Sequence, residues 1–234
     1  MEEENTQRTP GLQEIMDLGA VEITNRHGTI RTLTVAGQIE GHIQLPAGTK
    51  TTAYEHILPL LAAAEESDTL DGLLILLNTV GGDIEAGLAI AEMIAGMRKP
   101  TVTLVLGGGH SIGIPLAVSA RVTMIAPSAS MTVHPVRMGG MMIAAPQSYR
   151  YFERLQRQII RFVTAHSQIS PEKFRELMLA SDDMANDVGS VIYGDEAVAI
   201  GLMDRIGTLR DALDALYAMI EEEKNISSGT ADEK

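Results

Sequence analysis

Two glycine-rich segments, each set between an apolar run and a helical pattern, constrain this chain more than anything else in it. The first, Asn78-Thr79-Val80-Gly81-Gly82-Asp83, follows the run at 73–77, and the second, Gly107-Gly108-Gly109-His110-Ser111-Ile112-Gly113, follows the run at 101–106. A short apolar run without alternation suits a strand buried on both faces, as in a parallel sheet. The carboxyl end of such a strand is where α/β sheets bind ligands, and glycine lets bare backbone N–H groups approach an oxyanion. Tight strand-to-helix geometry alone would explain either segment, but two in matching positions point to one shared site. Neither supplies the Gly-Lys-Ser/Thr of a phosphate loop or the spaced glycines of a dinucleotide fingerprint.

The remaining pattern agrees with an α/β layer fold. Apolar stretches at 20–24 and 30–35 flank Asn-Arg-His-Gly, which predicts a hairpin, with a turn at 37–41 after it. Helical spacing recurs at 54–65, 84–97, 112–120, 148–165, 171–179, just after Asp195, and at 209–223, with short strands at 122–125 and 131–133. Strand and helix alternate, which argues against a bundle or a sandwich. The 234 residues suit one domain at 19–224, with polar tails at 1–18 and 225–234.

Ser111 is the one candidate nucleophile within a glycine turn, and its place at the first turn of a helix favours negative charge developing nearby. Its base must come from His27, His42, His56, His110, His134 or His166. His134 ends the short strand 131–133 and precedes Pro135, which fixes the chain direction beyond it; from the residues alone such a strand-end histidine is more often structural. His110 adjoins Ser111 in sequence and is expected to point away, while a helix-end contact accounts for His166. The segment 109–113 also fits the Gly-x-Ser-x-Gly elbow, whose triad runs serine, acid, histidine. Between Ser111 and His166 the only acid is Glu153, and both fall on one predicted helix, so they cannot converge on Ser111. The order Ser111, His134, then a later acid keeps the three groups on separate element ends.

Charge and composition narrow the partners. Eighteen Lys and Arg against thirty-one Asp and Glu give a net charge of -13, which opposes nucleic acid and anionic lipid, and no apolar run is long enough to span a bilayer. With no cysteine, disulfides and thiolate chemistry are excluded, and a cytoplasmic protein is expected. Thirteen methionines serve mainly as core filler, although Met138, Met141 and Met142 lie beside glycines in an extended segment suited to an interface.

These motifs resemble the ClpP family of serine peptidases over residues 32–207. The family's Asn-Ser-Pro-Gly-Gly appears as Asn78-Thr79-Val80-Gly81-Gly82, its nucleophile segment as Gly109-His110-Ser111-Ile112-Gly113, and its Met-Ile-His-Gln-Pro as Met131-Thr132-Val133-His134-Pro135. Its closing motif is kept at Glu196-Ala197 and Gly201-Leu202-Met203-Asp204. The resemblance implies the stacked parallel strands and crossover helices of the ClpP/crotonase fold, with one long protruding helix, near 148–166, packing ring on ring. It implies that Ser111 attacks a peptide carbonyl, that His134 takes the proton, and that Gly81 and Ile112 donate to the oxyanion beside Gly82. Residues 138–146 correspond to the strand lining the substrate channel. Peptide substrates and homo-oligomeric rings are implied, with no metal and no organic cofactor.

Departures mark where the likeness thins. Val80 replaces proline, Pro135-Val136-Arg137 follows the histidine, and extra residues lie between His166 and Glu196. Counting back from Glu196 puts the family's aspartate near Gly189, so Asp187 is the nearest candidate, with Asp182 and Asp183 as alternatives. The divergence is similar to that of the translocation-enhancing TepA branch, associated with preprotein export, and three Phe with five Tyr argue against an aromatic-rich docking surface for an AAA+ unfoldase. Beside the endopeptidase reading stand a catalytically impaired ring subunit and an acyl-CoA enzyme of crotonase type, the latter disfavoured by the Ser111 and His134 pair.

Overall fold

The apolar run at 73–77 becomes the centre of β4 (Gly72–Gly82), a strand covered on both faces. Its side chains alternate between two cores, as a pleated strand requires. Leu73, Ile75 and Leu77 join the larger core, while Leu74 meets Ile30, Val102, Leu104 and Met124 in the smaller. The structure is a computed structural model in which residues 19–137, 144–181 and 188–229 are described.

The hairpin forms as predicted, with β1 (Ala20–Asn25) antiparallel to β2 (Gly28–Glu40). From β2 the main sheet continues in parallel through β4, β5 (Thr101–Gly109), β6 (Val122–Ile125) and β9 (Arg205–Ile206), and β3 (Thr51–Ala53) extends the end of β2. The larger core lies under α1 (Tyr54–Glu66), α2 (Ile84–Ala95), α3 (Gly113–Val118), α4 (Ala145–Ala165), α5 (Pro171–Leu179) and α6 (Gly194–Ala199). The opposite face is sealed by α7 (Leu209–Gly229), whose Ala212, Leu216 and Ile220 form an i, i+4, i+8 stripe.

β5 changes partner along its length. Val102 to Val105 pair with β6, whereas Gly108 pairs with Ser130 of β7 (Ser130–Val133), itself antiparallel to β8 (Ser190–Tyr193). On this edge the strand thus exchanges the main sheet for a small second layer just before Ser111, while Gly109 still pairs with Thr79 of β4 on the other. This corrects the expected turns in part: the first segment is extended to Gly82 and the second to Gly109, with a turn only at Ser111 and Ile112. Their hydrogen bonding explains it, because the Asn78 side chain accepts the Gly108 N–H at 3.0 Å and fills the space that a side chain at Gly107 would need. The expected turn at 37–41 is likewise strand to Glu40, with a register shift at Gly37/Gln38. There Gly37 has φ 76°, and a Cβ on it would lie 2.2 Å from the Lys50 carbonyl oxygen.

Short β3, β8 and β9 escape the periodicity reading, and α7 runs to Gly229, past the point where composition turns tail-like. In α4 no residue before Leu155 is buried, so its first half stands off the domain as a protruding helix. The closing motif is structural: Asp204 accepts the Thr123 N–H at 2.8 Å, Thr123 Oγ1 accepts the Asp204 N–H at 3.0 Å, and Leu202 is fully buried. Met138, Met141 and Met142, with most of the segment expected to line a channel, lie outside the described residues. Among the described residues no helix is long and apolar enough to cross a membrane.

Candidate active site

Ser111 occupies the connection between β5 and α3 with φ 57°, in the left-handed region that L side chains avoid. Such a backbone costs roughly 1–2 kcal/mol and persists only where its surroundings hold it. Here the Ser111 N–H donates to the Thr132 carbonyl of β7 at 2.8 Å, and the His110 N–H donates to the Thr79 carbonyl of β4 at 3.1 Å. The Gly113 and Ile114 N–H groups close back onto the His110 and Ser111 carbonyls at 2.8 and 3.1 Å. The serine stands one residue before the N-cap, Ile112, and not within the first helical turn as the sequence suggested. With only six residues in α3, charge stabilisation falls to individual N–H groups and not to a helix dipole. Among the described residues the Ile112 N–H makes no hydrogen bond.

The bond from Ser111 to Thr132 also brings in the histidine, which leaves β7 two residues later. Ser111 and His134 line one cavity of about 150 Å³, with Ile84, Ile114, Val133, Phe174 and Met178 forming an apolar wall. His134 Nδ1 lies 2.7 Å from the Pro135 carbonyl oxygen. A carbonyl only accepts, so the proton sits on Nδ1 and the Nε2 lone pair is available as a base. Gly189, at the entry to β8, packs directly against this residue: a Cβ there would lie 2.3 Å from the Val133 carbonyl oxygen and 2.9 Å from His134 Cβ.

Gly81 covers the serine from the other side. With φ 90°, its Cβ position lies 2.6 Å from Ser111 Cβ and 3.2 Å from Ser111 Oγ. Its N–H donates to Thr79 Oγ1 at 3.0 Å, and that hydroxyl donates to the Gly37 carbonyl at 2.7 Å. Gly82, also in the cavity wall, is crowded by β2, since a Cβ there would fall 2.1 Å from the Ile39 carbonyl oxygen. Thr79 was not singled out from sequence. The available signal was a β-branched hydroxyl residue inside a glycine-rich segment, where no exposed turn needs one.

The other histidines serve elsewhere. His110 Nδ1 pairs with Thr132 Oγ1 at 2.8 Å, its ring lies against Gly108, and burial lowers its pKa from 6.5. His166 donates from Nδ1 to the Phe162 carbonyl at 2.8 Å and stacks on the Phe162 ring. Glu153 faces Arg157 at 3.8 Å along α4. His42 and His56 line a separate groove of about 930 Å³ between β1 to β3 and α1, which shares no residue with the Ser111 cavity. The candidate acid Asp187 and its alternatives Asp182 and Asp183 lie outside the described residues.

Comparison with known proteins adds three findings. The sequence model of the Clp protease family, described as "Clp protease", matches residues 27–210. The translocation-enhancing protein TepA of Halalkalibacterium halodurans is 51% identical over 214 residues, covering 91% of this chain and 84% of that protein. A solved structure of a ClpP1 point mutant from Listeria monocytogenes superposes with a TM-score of 0.62 at 20% identity, over 78% of this chain and 94% of that one, which shows a shared fold.

Two outcomes follow from the geometry. Gly81→Ala drives a methyl group into Ser111 and forces an L residue to φ 90°; reaction of Ser111 with a fluorophosphonate should fall by about 100-fold or more, read by intact mass, and an unchanged rate would refute the close approach. His110 titrates below its unfolded value, so the folded state binds fewer protons than the unfolded chain as pH falls below 6.5. Its contribution is complete above that value and lost on acidification through it. His110→Asn should therefore lose less stability than wild type between about pH 7.5 and pH 5.5 in urea unfolding, and equal losses would show that His110 is not the source.

Proposed function

The chain belongs to the Clp protease family, and from that premise we propose that it is a serine endopeptidase acting on short or unfolded peptides. The observation that carries the reading is Ser111 held at φ 57° above a cavity it shares with His134. Ser111 Oγ attacks the peptide carbonyl carbon as its proton passes to His134 Nε2. The carbonyl oxygen becomes an oxyanion facing the Ile112 and Gly81 N–H groups. Collapse returns the proton to the leaving amine and leaves an acyl-serine, which water attacks by the same route in reverse. The apolar wall of Ile84, Ile114, Phe174 and Met178 suits one aliphatic side chain beside the scissile bond.

Asp187 is the third member in this reading. Its support is that the chain reaches His134 at Gly189, two residues later, and that Ser190 pairs with Val133. The exposed first half of α4 supports assembly into homo-oligomeric rings, and the relation to a translocation-enhancing protein supports work on signal peptides during preprotein export from the cytoplasmic side. No step in the mechanism draws on a metal or organic cofactor. A second reading, a ring subunit with impaired chemistry, is favoured by one feature: the Pro135 carbonyl occupies His134 Nδ1, where an acid would act. An acyl-CoA enzyme of crotonase type leaves the Ser111 and His134 pair without a task.

Intact-mass labelling with a fluorophosphonate separates these readings. Wild type should take one label and Ser111→Ala none, while Asp187→Ala should label on the order of 100-fold more slowly, since the imidazolium would form without a carboxylate to balance its charge. Failure to label wild type would favour the impaired subunit. A normal rate in Asp187→Ala would pass the orienting role to the Pro135 carbonyl.

A further inference from the structure

We propose that the Thr79 hydroxyl is a latch on the oxyanion hole, holding the Gly81 N–H in the resting site and releasing it when charge develops on the substrate oxygen. The inference rests on the serine-peptidase reading and extends it to how the site is switched on.

Thr79 is 1% exposed and meets several of the segments that hold the serine. Its carbonyl accepts the His110 N–H, its methyl group lies where a side chain on Gly113 would have to go, and its hydroxyl links Gly37 to Gly81. A hydroxyl has a single proton, and Thr79 gives it to the Gly37 carbonyl at 2.7 Å. Its oxygen therefore faces Gly81 purely as an acceptor, and it competes with the oxyanion for the same N–H. Before reaction the neutral hydroxyl is the available acceptor. Once the tetrahedral centre forms, the oxyanion outcompetes it, because hydrogen bonds to an ionised acceptor are roughly twice as strong as neutral ones.

The movement the latch needs is confined to one peptide. Gly81 and Gly82 pair with Gln38 and Ile39 of β2, but the Val80 side chain before them is 65% exposed, and valine leaves φ unlocked where proline would fix it. Gly81 at φ 90° and Gly82 at φ 154° carry no side chain that rotation would drag through the core. Gly81 already lies against Ser111, so a local peptide rotation is enough to redirect its N–H. Ile112, with its N–H unengaged, is the standing donor, and Gly81 is the conditional one.

The cost of breaking the Thr79 bond is then part of the acylation barrier, and removing the hydroxyl while keeping its shape should lower that barrier. The test uses the full-length protein and a fluorophosphonate: Ser111 Oγ bonds to phosphorus as fluoride leaves, the serine proton passes to His134, and a phosphonyl oxygen takes the oxyanion's place. Thr79→Val should label about tenfold faster than Thr79→Ser, which keeps the hydroxyl, a ratio set by the net worth of one neutral hydrogen bond. With a peptide ester the gain should appear in kcat with KM unchanged, which a merely structural role would not produce. A crystal structure of the phosphonylated wild type should show the Gly81 nitrogen about 3 Å from the phosphonyl oxygen and turned from Thr79. Equal or slower labelling of a folded Thr79→Val, or an adduct in which Gly81 still donates to Thr79, overturns the latch alone. If Thr79→Val does not fold, the adduct structure decides. Absence of labelling at Ser111 in all three proteins overturns the peptidase reading and the latch with it.

Discussion

The site depends on one strand keeping two sets of partners. As far as Val105, β5 belongs to the parallel sheet beside β6, and the Ala126 N–H still reaches back to the Val105 carbonyl at 2.8 Å. Three residues later Gly108 is bonded to β7 instead. A strand edge cannot satisfy both neighbours at one position, so the two layers part there, and the cleft between them opens just past the strand's end, at Ser111. Glycine at 107, 108 and 109 makes the parting possible. Side chains there would collide with Asn78 at 107, with the His110 ring at 108 and, less severely, with Val105 at 109.

Because β7 is held to β5 at Gly108, its later residues have little choice of position. Thr132 meets the Ser111 N–H with its carbonyl and the His110 ring with its hydroxyl, and His134 follows at the cavity wall. The left-handed backbone of Ser111 is thus one consequence of a bond network drawn from three strands. Among the described residues no buried side-chain polar atom is left without a partner, which allows so polar a centre to sit beside Phe174 and Met178.

The sheet and its helices were legible because burial on both faces leaves a plain trace: residues 73–77 are apolar throughout, 101–106 are valine and leucine with two threonines, and the helices keep a 3.6-residue period. What escaped the sequence was contact between distant segments. β8 is four residues long and β9 two, too short for a period to show, and both exist only through pairing with β7 and β6. The glycine segments were found, but their glycines were misjudged as turn residues where the backbone is extended, since glycine signals both turns and close backbone approach, and only the neighbouring Asn78, Lys50 and Ile39 groups tell these apart. Thr79 was passed over for the same reason: its partners are Gly37, forty-two residues away, and a backbone N–H, neither of which leaves a pattern in sequence.

Orienting the imidazole and balancing its charge are separable tasks, and the structure shows the first more fully than the second. The Pro135 carbonyl fixes the tautomer of His134 and the ring's direction, but it carries only a partial charge, whereas the imidazolium that the proposed attack would form is best served by a carboxylate. The Gly189 N–H donates to the Ala180 carbonyl at 2.7 Å, and Gly189 lies against His134. Gly189 cannot itself be the acid, and a side chain there would strike the Val133 carbonyl. A carboxylate serving His134 has to come from another residue than the one in contact with it, and the nearest acid before Gly189 in the sequence is the proposed Asp187.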